Sequence, residues 1–248
     1  MRMLWPSPAD EVSDADLERL YGYPEQLDKP WVQVNFVASA DGAATVDDKS
    51  EGLSHPADKR IFLLGRDLAD VVLVGAGTAR AENYRGARAN DERRDRRARH
   101  GLAPIPPIAV VSGSARIEPD CPLFTDAEVP PIVITTEQAP ADRRKPLEDA
   151  GADVVIAGEQ MVEMPVALAE LDRRGLRRVN CEGGPHLFGE LIAEDLVDQL
   201  CLTVAPVLAG AGANRIAMGR NASLARRLEL ASLLLEDDFT MFRYRKRE

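Results

Sequence analysis

Cysteine is scarce in this chain, with only Cys121, Cys181 and Cys201 among 248 residues. An odd count without paired short spacings predicts neither a disulfide framework nor a zinc site, and no metal is expected. Histidine is equally rare: His55, His100 and His186 stand in unrelated contexts, and no Gly-x-Ser-x-Gly elbow accompanies them, so a hydrolytic triad has no material. Basic residues are outnumbered, 31 against 41 acidic, for a net charge of -10. That excess disfavours a polyanion-binding surface. The one arginine run, RRDRRAR from Arg93, is interleaved with Asp91, Glu92 and Asp95 and lacks aromatic neighbours, so nucleic acid is not an expected partner. Long apolar runs are missing too. The opening MRMLWPSPADEV has no apolar signal core, and no later stretch is long enough to span a bilayer, which leads us to expect a soluble cytoplasmic protein without a membrane partner.

What the chain does have is 45% hydrophobic residues, ample for a buried core. Residues 1–30 are rich in proline and charge, with a helix expected from Asp14 to Tyr21, and read as an extension on a domain covering 31–248. WVQVNFVAS from Trp31 reads as a buried strand stopped by Asp41-Gly42. Ser54-His55-Pro56 opens a helix, with Ser54 as its expected cap and Ile61, Leu64 and Leu68 at helical spacing. VVLVGAGT, PIAVVSGS, PPIVITT, ADVVIAG, RRVNCEGGP and DQLCLTVAPVL read as strands separated by helices, the alternation of a mainly parallel sheet. Residues 88–107 carry dense mixed charge and little apolar content, and are expected to form a mobile insertion. FTMFRYRK is expected to run antiparallel near the sheet edge after a polar stretch. One domain is the economical reading.

Two glycine turns, Gly75-Ala76-Gly77-Thr78 and Glu182-Gly183-Gly184-Pro185, each follow an apolar strand and precede a helix. Such turns let backbone N–H groups approach a phosphate at a helix N-terminus, although either alone could be a plain tight turn. Together they favour a dinucleotide. Neither has the spacing of the Rossmann fingerprint or the P-loop. A third strand end, Ser112-Gly113-Ser114 with Arg116 behind it, offers hydroxyls and a cation suited to a ribose 2′-phosphate, which favours NADPH over NADH; a polar turn with a surface arginine is the other reading.

The ordered set Ser39-Ala-Asp-Gly42, the helix from Ser54, VVLVGAGTARAE, Glu182-Gly-Gly-Pro-x-Leu187, Leu196-Val-Asp-x-Leu200 and Ala205-Pro-x-Leu-Ala-Gly210 resembles the pyrimidine reductases of riboflavin biosynthesis, the C-terminal half of the bifunctional deaminase-reductases. The resemblance implies an α/β, three-layer dihydrofolate-reductase-like fold, with a mainly parallel mixed sheet and helices on both faces. It also implies a homodimer and an NADPH-dependent oxidoreductase that reduces a phosphoribosylamino-pyrimidine of the 5-amino-6-ribosylaminouracil phosphate type. Cofactor contacts are expected from Ala38, Gly75, Gly77, Thr78, Ser112, Gly113, Glu182, Gly183, Gly184, Pro185 and Leu187. The deaminase half needs His-x-Glu and Pro-Cys-x-x-Cys, which are missing here.

Where many members have Asp-Asp-Pro after the Gly-x-x-Thr turn, this chain has Glu82-Asn83-Tyr84, then Arg85 and Arg88, so the substrate end is expected to be reshaped. Asn35, Ser39, Asp41, Ser54, Asp58, Glu82, Tyr84 and Arg88 are the candidate substrate residues, with Asn35 or Asp58 on the base and Ser54, Glu82 and Arg88 on the polar tail. Asp41 beside Gly42 could equally be a turn-capping carboxylate. Asp58 occupies the helix from which dihydrofolate reductases present a carboxylate to a pterin, or it simply favours the helix N-terminus. Dihydropterin reduction and a non-catalytic NADP-binding module are therefore kept as alternatives. No residue is singled out as the proton donor.

Overall fold

The computed structural model describes residues 1–47, 49–210, 212–219 and 225–247. In chain order its elements are β1 (Arg2–Trp5), α1 (Asp14–Tyr21), β2 (Trp31–Ser39), a 3-10 turn (Glu51–Leu53), α2 (Pro56–Asp67), β3 (Val71–Gly75), α3 (Ala76–Ala81) and α4 (Asp91–Arg99), followed by β4 (Ile108–Val111), α5 (Pro122–Thr125), β5 (Ile132–Thr135), α6 (Ala141–Asp149), β6 (Asp153–Ile156), α7 (Met164–Arg173), β7 (Arg178–Cys181), α8 (Pro185–Ala193), β8 (Gln199–Ala205), β9 (Leu228–Glu236) and β10 (Phe239–Lys246). Among the described residues no helix is long and apolar enough to cross a membrane.

The fold is mixed α/β, and the chain divides into two compact units. The first comprises Met1–Glu25, Trp31–Leu68 and Cys181–Glu248; the second comprises Gln26–Pro30 and Ala69–Asn180.

In the first unit the strands lie in the order β1-β9-β10-β8-β2. β2 and β8 run parallel, while β8–β10, β10–β9 and β9–β1 are antiparallel. The last strand is therefore interior to this set. The polar stretch expected before it contains β9, whose LELASLLLE spaces its leucines too irregularly for a clean two-residue alternation. The N-terminal extension is likewise tied in, because β1 pairs with β9. Ser13 and Asp16 close a capping box that starts α1, and Pro56 occupies the first turn of α2. The cap of α2 is His55, whose ring accepts the Ala57 N–H at 3.3 Å, and not Ser54, whose hydroxyl is turned to Asp58. Leu17, Tyr21, Ile61, Leu64, Cys201, Leu234 and Met241 form a core between α1, α2 and one face of the strands. On the other face Phe36 of β2 packs its ring 5.3 Å from that of Phe188 of α8. Helices thus cover both faces.

In the second unit the order is β7-β3-β4-β5-β6, and β3 through β6 pair in parallel. Val71, Val72, Leu73 and Val74 are fully buried, the continuous apolar run of a strand covered on two sides. The charged segment 88–107 contains α4. Asn90 caps it by accepting the Arg93 N–H at 3.0 Å, and the fully buried Arg97 donates to the carbonyls of Ala103 at 2.6 Å and Ala69 at 2.8 Å. Charge density hid this helix. Its only inward residue is an arginine, and its other arginines reach carboxylates such as Glu92 and Glu128, so no apolar stripe marks it.

Candidate functional site

Each unit carries its own set of the expected residues. In the first, β2 sorts them by face. Asn35 pairs in register with Cys201, which belongs to the core under α2, so Asn35 shares the α2 face with Val37 and Ser39. Asn35 is only 7% exposed, and its Nδ2 has no hydrogen-bond partner among the described residues. A buried donor left unsatisfied is costly and suits a group awaiting a ligand acceptor. Val37 pairs with Thr203 of β8, and the Thr203 hydroxyl reaches the carboxylate of Asp58 on α2. Ser54 donates to the same carboxylate at 3.1 Å. Asp58 is buried, and that burial pushes its carboxyl above the ordinary aspartate range against the opposing help of Thr203 and Ser54. It is more than a surface charge at a helix start.

Ser39 and Asp41 do different work. The Ser39 hydroxyl donates to Asp41 and accepts the Ala43 N–H at 2.8 Å, while Asp41 also accepts the N–H groups of Ala209 at 3.1 Å and Gly210 at 2.8 Å. These donors hold the Asp41 carboxyl low, at about 2, with the Ser39 hydroxyl the largest cause. The turn-capping reading describes its contacts.

Ala38 lies on the opposite face of β2, the face where Phe36 meets the Glu182–Pro185 turn. Gly183 has φ +86°, and a Cβ there would come within 2.8 Å of the Phe36 ring, so both backbone and space require glycine. The Gly183–Gly184 peptide is cis. Gly184 caps α8 without a side-chain contact, Pro185 follows at its first position, and Leu187 is buried in its first turn. Helix geometry leaves the first N–H groups of α8 without intrahelical acceptors. The Glu182 carboxylate is already engaged: Arg66 of α2 grips it through two bonds of 2.7 Å. Only its backbone remains to face a ligand as the sequence reading supposed.

In the second unit Gly75 closes β3 and caps α3, with no side chain bonded over the helix start. A Cβ at Gly77 would meet nothing within 4 Å, so that turn is open. Thr78 lies in α3, whose carbonyl at that position accepts the Glu82 N–H at 2.9 Å. Tyr84 is packed against the unit's core, and Arg88 is paired with Asp126, which Arg85 also approaches at 3.4 Å. A substrate phosphate would have to displace Asp126 to take Arg88.

At the end of β4, Ser112 is buried, only 7% exposed. Gly113 is pinned by the Thr136 hydroxyl, which donates to its carbonyl at 2.9 Å. Arg80 donates to the Arg116 carbonyl at 2.9 Å and Arg143 to the Ser114 carbonyl at 3.3 Å. Neither these two guanidiniums nor that of Arg116 has a carboxylate partner among the described residues, whereas Arg66, Arg88, Arg94 and Arg174, for example, do. Three guanidiniums without a carboxylate partner among the described residues thus adjoin one serine turn.

Sequence reading missed Thr203, Arg66, Arg80 and Arg143. Thr203 could be found only through the β2–β8 register, and the three arginines only through contacts between elements distant in sequence.

Mixed sheet, helices on both faces and glycine turns at strand ends define a dihydrofolate-reductase-like oxidoreductase, and the chain is an enzyme of that class. It belongs to the RibD C-terminal domain family, whose model matches residues 30–237. It is 31% identical, over 73% of its length and 83% of the relative's, to the 2,5-diamino-6-ribosylamino-4(3H)-pyrimidinone 5′-phosphate reductase of Archaeoglobus fulgidus. The riboflavin biosynthesis protein RibD of Mycobacterium tuberculosis is 27% identical over 82% of this chain but only 49% of its own length. Among solved structures, a pyrimidine reductase-like protein from Corynebacterium diphtheriae superposes with a TM-score of 0.78 at 26% identity, covering 88% of this chain and 92% of that one.

Proposed function

We propose that this reductase uses NADPH to reduce a phosphoribosylamino-pyrimidine to its ribityl form. The observation that carries the cofactor half is the serine turn at residues 112–114 with Arg80, Arg116 and Arg143 left without carboxylates. Such a group of serines and guanidiniums suits a dianionic 2′-phosphate and gives nothing comparable to a bare ribose. Gly75, Gly77 and Thr78 in the same unit, and Ala38, Gly183, Gly184, Pro185 and Leu187 in the other, are proposed as further cofactor contacts, with Glu182 contributing backbone alone. When bound, NADPH supplies the hydride.

The substrate half follows from the α2 face of β2. The orphaned Asn35 amide and the Asp58–Thr203 pair offer a donor, an acceptor and a hydroxyl to the edge of an aminopyrimidine. Reduction of the ring-opened imine places the hydride on sugar C1 and a proton on the attached nitrogen, leaving an amine. Asp58, pushed toward its protonated form by burial, is suited to keep such a ring neutral and oriented. Ser39, Ser54, Glu82, Tyr84 and Arg88 complete the proposed substrate set, although Ser39, Ser54 and Arg88 would trade present partners for it, and Asp41 is left to its turn. A cytoplasmic homodimer is part of the proposal, and the 37% exposure of Leu228 and Leu230 on β9 supports an apolar contact there. Sedimentation of the purified protein tests this: a monomer at micromolar concentration contradicts it.

NADPH oxidation with the 2,5-diamino-6-ribosylamino-pyrimidinone phosphate named for the A. fulgidus relative tests the reading, and no oxidation would sink it. The buried Asp58 favours one second reading, reduction of a dihydropterin. Dihydrofolate run in parallel separates the two, since a tenfold difference in kcat/KM corresponds to about 1.4 kcal/mol of transition-state binding.

A further inference from the structure

The turn after β2 is tied to a strap that continues from β8. Ala40 donates to the Val207 carbonyl at 2.9 Å, and Asp41 accepts Ala209 and Gly210 at 3.1 and 2.8 Å. Ala44 then donates to the Asn214 carbonyl at 2.7 Å. Farther along the same strap, Met218 donates to the Pro185 carbonyl at 3.0 Å. The Met218 carbonyl also lies flat on α8 at Gly189, where a Cβ would be 1.8 Å from its oxygen. Residues 206–210 and 212–219 therefore run from a carboxylate clamp at one end to the first turn of α8 at the other. All of these contacts lie within the first unit.

We propose that Asp41 is a positioning residue: by clamping this strap it holds the Gly183–Gly184 turn and the first turn of α8 in the conformation that receives the cofactor. This rests on the NADPH reading above. Asp41 can do the task because its two oxygens accept three donors together, the Ser39 hydroxyl and two backbone N–H groups. Its charge also persists at every pH above about 2. Gly189 is the second element of the device, since only a residue without a Cβ lets the Met218 peptide seat against the helix. The proposal removes Asp41 from the substrate residues and assigns it an effect on a turn it does not touch.

The test compares the full chain with Asp41→Ala and Asp41→Asn, reading KM for NADPH, KM for the pyrimidine, kcat, and amide hydrogen exchange across residues 183–188. Asp41→Ala is expected to raise KM for NADPH about tenfold, leave kcat within about threefold and leave the pyrimidine KM unchanged. Exchange at 183–188 should accelerate together with that at 207–210. Asp41→Asn keeps one acceptor oxygen, and is expected to recover at least half of the exchange protection. A rise in the pyrimidine KM alone would return Asp41 to the substrate and overturn the proposal. Acceleration confined to 207–210 would overturn it as well. If the unaltered protein oxidises no NADPH, the fault lies with the cofactor reading, and the exchange data still decide whether the clamp governs the turn.

Discussion

Asp58 is the residue at which stability and the proposed function pull apart. Its carboxyl is raised by burial, so the unfolded chain releases that proton more readily than the folded one. The penalty is absent below the unfolded value of 3.8 and grows as pH rises through the folded value. Asp58→Asn removes it. The variant is expected to melt higher than the parent at pH 7, by roughly 2–4 °C for a gain of about 1 kcal/mol, and to show no advantage at pH 3. The same variant should lose pyrimidine turnover by at least about tenfold while binding NADPH unchanged; equal turnover would remove Asp58 from the site. Asp41 behaves oppositely. Its contribution is complete above 3.8 and is lost as pH falls through about 2, so the strap is expected to exchange faster only in strong acid. At the serine turn, Arg143→Ala and Arg80→Ala should each narrow the preference for NADPH over NADH about tenfold, and an unchanged ratio would clear them of any role.

At the scale of elements, what could be read in advance followed the strength of the local pattern. Trp31–Ser39 and Val71–Gly75 are apolar, β-branched runs closed by glycine or an Asp-Gly turn, and both formed strands where expected. α4 and β9 were illegible for opposite reasons: one is charged all round with a buried arginine, the other is leucine-rich without alternation. Those failures make predictions of their own. Arg97→Met keeps volume but strands the carbonyls of Ala69 and Ala103, so a loss of about 2–4 kcal/mol and accelerated exchange in 91–103 are expected. Unaltered melting would mean α4 is held by something else. Gly189→Ala must push the Met218 peptide off α8, and should lower stability by about 1–3 kcal/mol.

For the whole molecule, fold class and family were legible because they rest on an ordered series of motifs spread along the chain. Each of the two units is assembled from segments far apart in sequence, the chain passing between them after Glu25, Pro30, Leu68 and Asn180. The partners of the site were hidden for a related reason: Thr203 meets Asp58, and Arg143 meets Ser114, only once strands and helices far apart in sequence are packed together.

The account turns on a pyridine nucleotide phosphate being read by guanidiniums and a pyrimidine by a buried amide and acid. The most direct measurement is the absorbance of NADPH at its nicotinamide band, in the presence of the phosphoribosylamino-pyrimidine, against the same assay with NADH. Oxidation that needs the pyrimidine and runs at least about tenfold more efficiently with NADPH is the predicted result. No pyrimidine-dependent oxidation, or equal rates with the two nucleotides, would contradict it.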